Sequence, residues 1–339
     1  GRGMSKKLIS YLFLLHTLSF LSNSIMLKCD DIMDILILGA GAVGLSLAAR
    51  LSRVSDVHAV CRQKHADIIR TNGFRMTGIW GEETSFFSCG EDVPKNRDFD
   101  HIFISSKSTA TRSICEQFAD MIKGKEVVSL QNGIGNEEII AEYTDNVIGG
   151  TIITGFEWTG DASVHVSVES GPMQLGRFPS GMDANVQKLA DVLQQAGVPV
   201  STTDNIKGAL WSKALYNCAL NPLGAIMSVP YGKLENPHAW SIIEGMVHEA
   251  FRIMDAEKVL LPWDSAPQYL KYLKEYQLPN TRAHHSSMLQ DLAACKRTEI
   301  EFLNGAVVQR AKEYAIDVPY NAFITSQIHF MEDLRTNSN

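Results

Sequence analysis

Three groups of residues in this chain have types and spacings that could do chemistry. Gly39, Gly41 and Gly44, with Ala40, Ala42 and Val43 between them, form a G-x-G-x-x-G turn. Such a turn lets backbone N–H groups at a helix start approach a phosphate. Farther along, Lys213, Asn217 and Asn221 recur every four residues. On a helix they make one polar stripe, flanked by Leu210, Ala214, Leu215, Cys218 and Ala219. The stripe is either a solvent face or one wall of a site. A solvent face normally carries Glu, Lys and Gln rather than two Asn of poor helix propensity. Pro222 follows Asn221 directly, which predicts a helix end there with the Asn221 side chain free to face a ligand. The third group centres on Glu299, in line with Leu292, Cys295, Leu303 and Ala306 on the apolar side of a helical pattern. A carboxylate in that position needs a partner or a raised pKa, as part of a site or of a structural ion pair. Ser286 and Ser287 precede the same pattern, and spacing does not separate a helix cap from a ligand contact.

The glycine turn carries meaning only in its context. The apolar run from Ile35 to Leu38 reads as a parallel strand buried on both faces, and Val43, Leu47 and Leu51 open a helix after the turn. Asp56 to Cys61 returns as a second strand, which completes a βαβ unit. Alternation continues with strands at 102–105, 127–130 and 147–148 and helices at 109–122 and 136–143. Val164, Val166 and Val168 suggest antiparallel strands that close the sheet. A helix at 184–196 and a strand at 198–201 follow. Beyond Thr203 the pattern is helical, with stretches at 206–221, 240–258, 265–276, 288–315 and 321–334. The expected fold is therefore α/β, an N-terminal Rossmann-type doubly wound sheet with an all-α C-terminal domain. The expected divisions are 1–32 as an extension, 33–203 as the dinucleotide-binding domain and 204–339 as the helical substrate domain.

In such a fold the glycine turn binds a dinucleotide, and the residue ending the second strand tells which one. An acidic residue there would accept the ribose hydroxyls of NAD, whereas this chain has Arg62, which favours the 2′-phosphate of NADP. Lys64 offers a second positive charge or a solvated loop residue.

Composition narrows the class. The chain has 339 residues, 45% hydrophobic and 20% charged, with 31 Lys and Arg against 38 Asp and Glu and no long basic run. It lacks the electrostatic footprint of a nucleic-acid binder, and a small-molecule ligand fits better. Six scattered cysteines without a C-x-x-C pair read as reduced thiols. His284 and His285 do not share a helical face and have no partner at metal-ligand spacing, so no metal is expected. Lys6 and Lys7 followed by the apolar run Leu8 to Leu21 and the small Ser22 and Ser24 resemble a secretory signal, too short to span a bilayer comfortably. Met33, immediately before the first strand, reads as a functional start, and Gly1 to Gly3 read as an addition. The expected location is the cytoplasm, with a secreted form as the alternative reading of that N-terminus.

From residue 34 to about 330 the chain closely resembles the ketopantoate reductase family. The resemblance is carried by GAGAVG at 39–44, Lys107 in the SSK segment and QNGIG at 131–135. It continues through WSKALYNCALNP at 211–222, SSMLQD at 286–291 and RTEIEFLNG at 297–305. It implies NADPH-dependent reduction of 2-dehydropantoate to (R)-pantoate, on the route to pantothenate and coenzyme A, by a monomer or homodimer. It also implies roles: Lys213 as the catalytic lysine, Glu299 holding the substrate hydroxyl, and Asn217, Asn221 and Ser287 binding the substrate. Lys107 and Asn132 would line the nicotinamide, with Arg62 at the 2′-phosphate. The alternatives are a reductase of another 2-oxo acid and a non-catalytic NADPH sensor.

Overall fold

A computed structural model describes residues 32–336. The main sheet follows from the predicted alternation. Its strands are β1 (Asp34–Leu38), β2 (Asp56–Val60), β5 (Ser88–Gly90), β6 (His101–Ile104), β7 (Glu126–Ser129), β8 (Val147–Thr151), β11 (Met173–Arg177) and β12 (Val200–Thr202). They lie in the order β12-β11-β8-β7-β6-β1-β2-β5. All adjacent pairs are parallel except β8 with β11. Ile35 to Leu38 are fully buried, as a strand covered on both faces requires. The helices of this half are α1 (Ala42–Leu51), α2 (Gln63–Asn72), α3 (Thr111–Gln117), α4 (Ala119–Ile122), α5 (Asn136–Ala141) and α6 (Ala184–Gln195). The helix expected at 109–122 is thus divided into a 3-10 turn at Ser108–Ala110 and two short helices.

One strand assignment is corrected. Val164 and Val166 are buried as expected, but they lie in β10 (Ser163–Glu169), which does not join the main sheet. β10 pairs with β9 (Thr154–Gly160) and with β3 (Phe74–Gly78), and β4 (Glu83–Ser85) completes a second, four-stranded sheet. Val168 is exposed. Only β8 and β11 form the antiparallel closure.

The C-terminal half is helical: α7 (Ile206–Met227), α8 (Pro237–Ala256), α9 (Ala266–Tyr272), α10 (Leu278–Asn280), α11 (Ser287–Ala293), α12 (Asn304–Tyr314) and α13 (Pro319–Thr336). Their apolar faces share one core that includes Trp211, Leu215, Tyr269 and Ile328. Two of the departures from the expected helices have a clear physical cause. α7 does not end at Asn221 but runs through Pro222 to Met227. Proline removes the N–H that would bond the Cys218 carbonyl, and that carbonyl instead accepts from Asn304 Nδ2 at 3.2 Å. The pattern from 288 to 315 is not one helix. It breaks after α11, where Cys295 takes a left-handed φ of 53° and is exposed. The Thr298 N–H donates to Glu332 Oε1 at 2.7 Å and the Thr298 hydroxyl accepts from the Ile300 N–H. These bonds replace the helical ladder.

No helix among the described residues is long and apolar enough to cross a membrane. The signal-like run at 8–21 and Cys29 lie outside the described residues.

Candidate active site

The sheet order places one crevice at its centre. The chain leaves β1 to form β2 on one side and later forms β6 on the other, so the carboxyl ends of β1 and β6 flank a topological switch point. Gly39 to Gly44 follows β1, Arg62 follows β2, Lys107 follows β6, Asn132 follows β7 and Ile152 follows β8. Residues scattered over more than a hundred positions therefore rise from one edge of the sheet.

The three glycines are required for three different reasons. Gly39 has φ +67°, and an added Cβ would stand 2.4 Å from Ser106 Cβ. Gly44 presses on the sheet, with an added Cβ 2.3 Å from Ser105 Oγ. Gly41 faces open space, with nothing within 4 Å of such a Cβ. That opening lies at the N-terminus of α1, where unpaired N–H groups and the helix dipole favour an anion. Ala40, Ala42 and Val43 complete the turn, so the cradle fits a pyrophosphate. Arg62 is exposed and stands as the N-cap of α2, directly after β2. The charge of Lys64 is engaged by Asp161 at 2.6 Å.

Lys213 projects from α7 towards the same edge. It is half-buried, and its Nζ donates to the Ile152 carbonyl at 2.7 Å. Desolvation pushes its ammonium down to about 8, while the charges of Glu299 and Glu137 pull the other way. Glu299 is 8% exposed, so its predicted burial is correct. The helical stripe predicted for it is not, because it precedes the 3-10 turn Ile300–Phe302 after the break. Its Oε1 accepts from the Ser108 N–H at 2.9 Å, at the start of a helical turn that welcomes an anion. The Ser108 hydroxyl donates to the Asn132 carbonyl at 2.5 Å, and Asn136 Nδ2 donates to that carbonyl at 3.0 Å. Glu299 is thereby tied to the loop after β7.

The remaining predicted residues divide. Asn217 is half-buried one turn beyond Lys213. Asn221 is 7% exposed, and its carboxamide oxygen is held by the Tyr231 hydroxyl at 2.5 Å inside a continuing helix. Its expected freedom at a helix end is therefore lost. The two serines are now distinguished: buried Ser286 is the N-cap of α11, accepting from the Leu289 N–H, while Ser287 is exposed. Lys107 Nζ contacts Asp291 Oδ2 of α11 at 2.7 Å.

Asp291, Ser108 and Glu137 were not singled out in the sequence. Asp291 is the last residue of the quoted SSMLQD motif and Ser108 adjoins the SSK segment, and a charged residue at the end of a motif is the signal that could have found the first. Glu137 follows QNGIG on a short helix, where two adjacent Glu suggest only a favourable helix start.

Comparison with known proteins gives similarities over both halves of the chain. Residues 35–180 match the family model described as ketopantoate reductase PanE/ApbA, and residues 205–332 match the C-terminal model of the same family. A 2-dehydropantoate 2-reductase of Aquifex aeolicus is 33% identical over 310 residues, 89% of this chain and 97% of that protein. Among solved structures, a PanE/ApbA family ketopantoate reductase from Ralstonia eutropha is 30% identical with a TM-score of 0.81, covering 89% of this chain and 99% of the other. D-mandelate dehydrogenase in a ternary structure with NADH and anilino(oxo)acetate is 27% identical, with a TM-score of 0.80 and the same two coverages.

Proposed function

The chain belongs to the ketopantoate reductase family, and from that premise we propose that it reduces 2-dehydropantoate to (R)-pantoate with NADPH. The observation that carries the reading is the convergence of Lys213 and Glu299 on the crevice edge that also holds the glycine cradle.

Bound NADPH would supply a hydride to the ketone carbon. Gly39 to Gly44 and the α1 N-terminus would hold its pyrophosphate, and Arg62 its 2′-phosphate. Lys107 and Asn132 would line its nicotinamide side. As negative charge builds on the ketone oxygen, the Lys213 ammonium stabilises it and donates the proton. A lysine held near 8 suits this task, since it is largely charged at neutral pH and gives up its proton more readily than a lysine in water. Asn217 orients the substrate, and Asn221 supports that wall through its bond to Tyr231 or turns inward when substrate enters. Ser287, exposed beside the capped start of α11, serves the substrate carboxylate. Glu299 accepts from the substrate hydroxyl while its other contact, the Ser108 N–H, fixes its position.

The proposed division of labour is a cofactor domain at 33–203 and a helical substrate domain at 204–339. We place the enzyme in the cytoplasm as a monomer or homodimer that binds no nucleic acid. The mandelate dehydrogenase likeness supports a second reading, reduction of another 2-oxo acid, but the buried carboxylate of Glu299 requires a donor that an aryl 2-oxo acid lacks. Product analysis tests the assignment. Incubation with NADPH and 2-dehydropantoate should yield (R)-pantoate, and turnover only of aryl 2-oxo acids would transfer it to the second reading.

A further inference from the structure

Tyr231 joins two parts of the substrate domain that the chain makes separately. It opens a 3-10 turn, Tyr231–Glu235, and is 2% exposed. Its hydroxyl donates to Asn221 Oδ1 at 2.5 Å. Its ring lies over the last turns of α7, where a Cβ added to Gly224 would stand 3.4 Å from it, and meets the Tyr216 ring edge-on at 6.0 Å. On the other side its backbone N–H donates to the His284 carbonyl at 3.0 Å, and the Gly232 N–H donates to the Arg282 carbonyl at 2.9 Å. The His284 ring packs against the tyrosine ring at 5.3 Å. Ser287 follows three residues later. One side chain and its backbone thus tie the polar wall of α7 to the segment that leads into α11.

The bond to Asn221 also decides which way that amide faces. A carboxamide has two ends of nearly the same shape, an acceptor oxygen and a nitrogen with two donors, and its hydrogen bonds determine which end points where. Tyr231 occupies the oxygen. Asn221 Nδ2 makes no hydrogen bond among the described residues, and it is not one of their sealed, unpartnered atoms, as Asn304 Oδ1 is. Two donors on the stripe of Lys213 and Asn217 are therefore left for a ligand. Such a ligand must bring acceptors, and a 2-oxo acid brings the oxygens of its carboxylate and ketone.

We propose that Tyr231 is a positioning residue for the substrate: by holding the Asn221 oxygen it keeps the amide donors turned towards the 2-oxo acid group. The proposal rests on the reading of Asn221 as a substrate contact. Without the tyrosine hydroxyl the amide is free to rotate, and its oxygen then opposes the substrate's own oxygens. The amide meets the substrate both before and during hydride transfer, so the effect belongs in KM rather than in kcat.

The test is Tyr231→Phe, which keeps the ring with its contacts to Tyr216 and His284 and removes only the hydroxyl. At saturating NADPH it should raise the KM for 2-dehydropantoate about 3- to 10-fold, the worth of one hydrogen bond, and change kcat and the KM for NADPH less than about twofold. In an Asn221→Ala background the same change should have little further effect, because the amide that Tyr231 positions is gone. A tyrosine that serves only the packing of α7 would instead raise KM by the same factor in both backgrounds. Equal factors in the two backgrounds, or an unchanged KM in Y231F, would overturn the proposal. Should Y231F fail to fold, Asn221→Asp takes its place. Aspartate keeps an oxygen for the Tyr231 hydroxyl and puts a second oxygen where the donors were, so KM should rise at least as much, and a wild-type KM overturns the proposal. If the wild-type protein reduces a different 2-oxo acid, the substrate assignment fails, and the same variants measured on that acid decide the role of Tyr231. A protein that reduces no 2-oxo acid overturns both.

Discussion

Glu299 Oε1 and the backbone N–H of Ser108 are 2.9 Å apart, although 191 positions separate the two residues in the chain. This bond anchors one oxygen of a buried carboxylate to the loop that carries Lys107, and in the proposed reaction the other oxygen serves the substrate hydroxyl. Glu299→Gln should lower kcat/KM for 2-dehydropantoate about 10- to 100-fold, the worth of one hydrogen bond to a charged group, roughly 1.5–3 kcal/mol. The preference over an analogue lacking the hydroxyl should shrink by a similar factor. Parallel steady-state assays of both substrates check this, and equal losses on the two would show that Glu299 has only a structural role.

Gly41 and Gly44 should respond oppositely to the same change. Gly44→Ala places a methyl 2.3 Å from Ser105 Oγ and should lower the thermal midpoint. Gly41→Ala meets nothing in the protein, so its midpoint should stay near wild type while the KM for NADPH rises. Thermal unfolding without ligand, run beside cofactor titrations, separates the two effects.

Arg62 is the residue on which cofactor choice depends. Arg62→Ala should raise the KM for NADPH about 10- to 100-fold by removing charged hydrogen bonds and leave the KM for NADH nearly unchanged. Equal effects on both cofactors would remove the 2′-phosphate contact from the account.

The βαβ unit around the glycine turn was legible because everything that makes it is local: a continuous apolar run, three glycines and a helical period within a few turns. Errors arose where a distant residue decides the local structure. Pro222 looks like a helix end until Asn304, 86 positions beyond Cys218, supplies the missing donor to the Cys218 carbonyl. The run from 288 to 315 looks like one helix until Glu332 takes the Thr298 N–H. Glu299 was thus identified through its burial, although the stripe that suggested it does not exist. β10, and β9 paired to it, lie outside the main sheet because β10 pairs with β3, some 88 positions earlier, beyond the reach of any pattern within a strand.

Asn304 gives a stability prediction from the same observation. Its side chain is fully buried and bonds Cys218, Asn321 and, more weakly, the Met246 sulfur. Asn304→Leu leaves the Cys218 carbonyl unsatisfied in the middle of α7 and should cost about 1–3 kcal/mol. Chemical denaturation should show this as a lower midpoint with little change in slope.

The central claim, that Lys213 donates the proton during reduction of 2-dehydropantoate by NADPH, is tested most directly by the pH dependence of kcat in the wild-type protein beside Lys213→Ala. The donor must start protonated, so the wild-type rate should fall as pH rises through about 8 and beyond. The variant should be slower by about 10² to 10⁴ with no limb in that range. A variant that keeps both the wild-type rate and the alkaline limb would contradict the account.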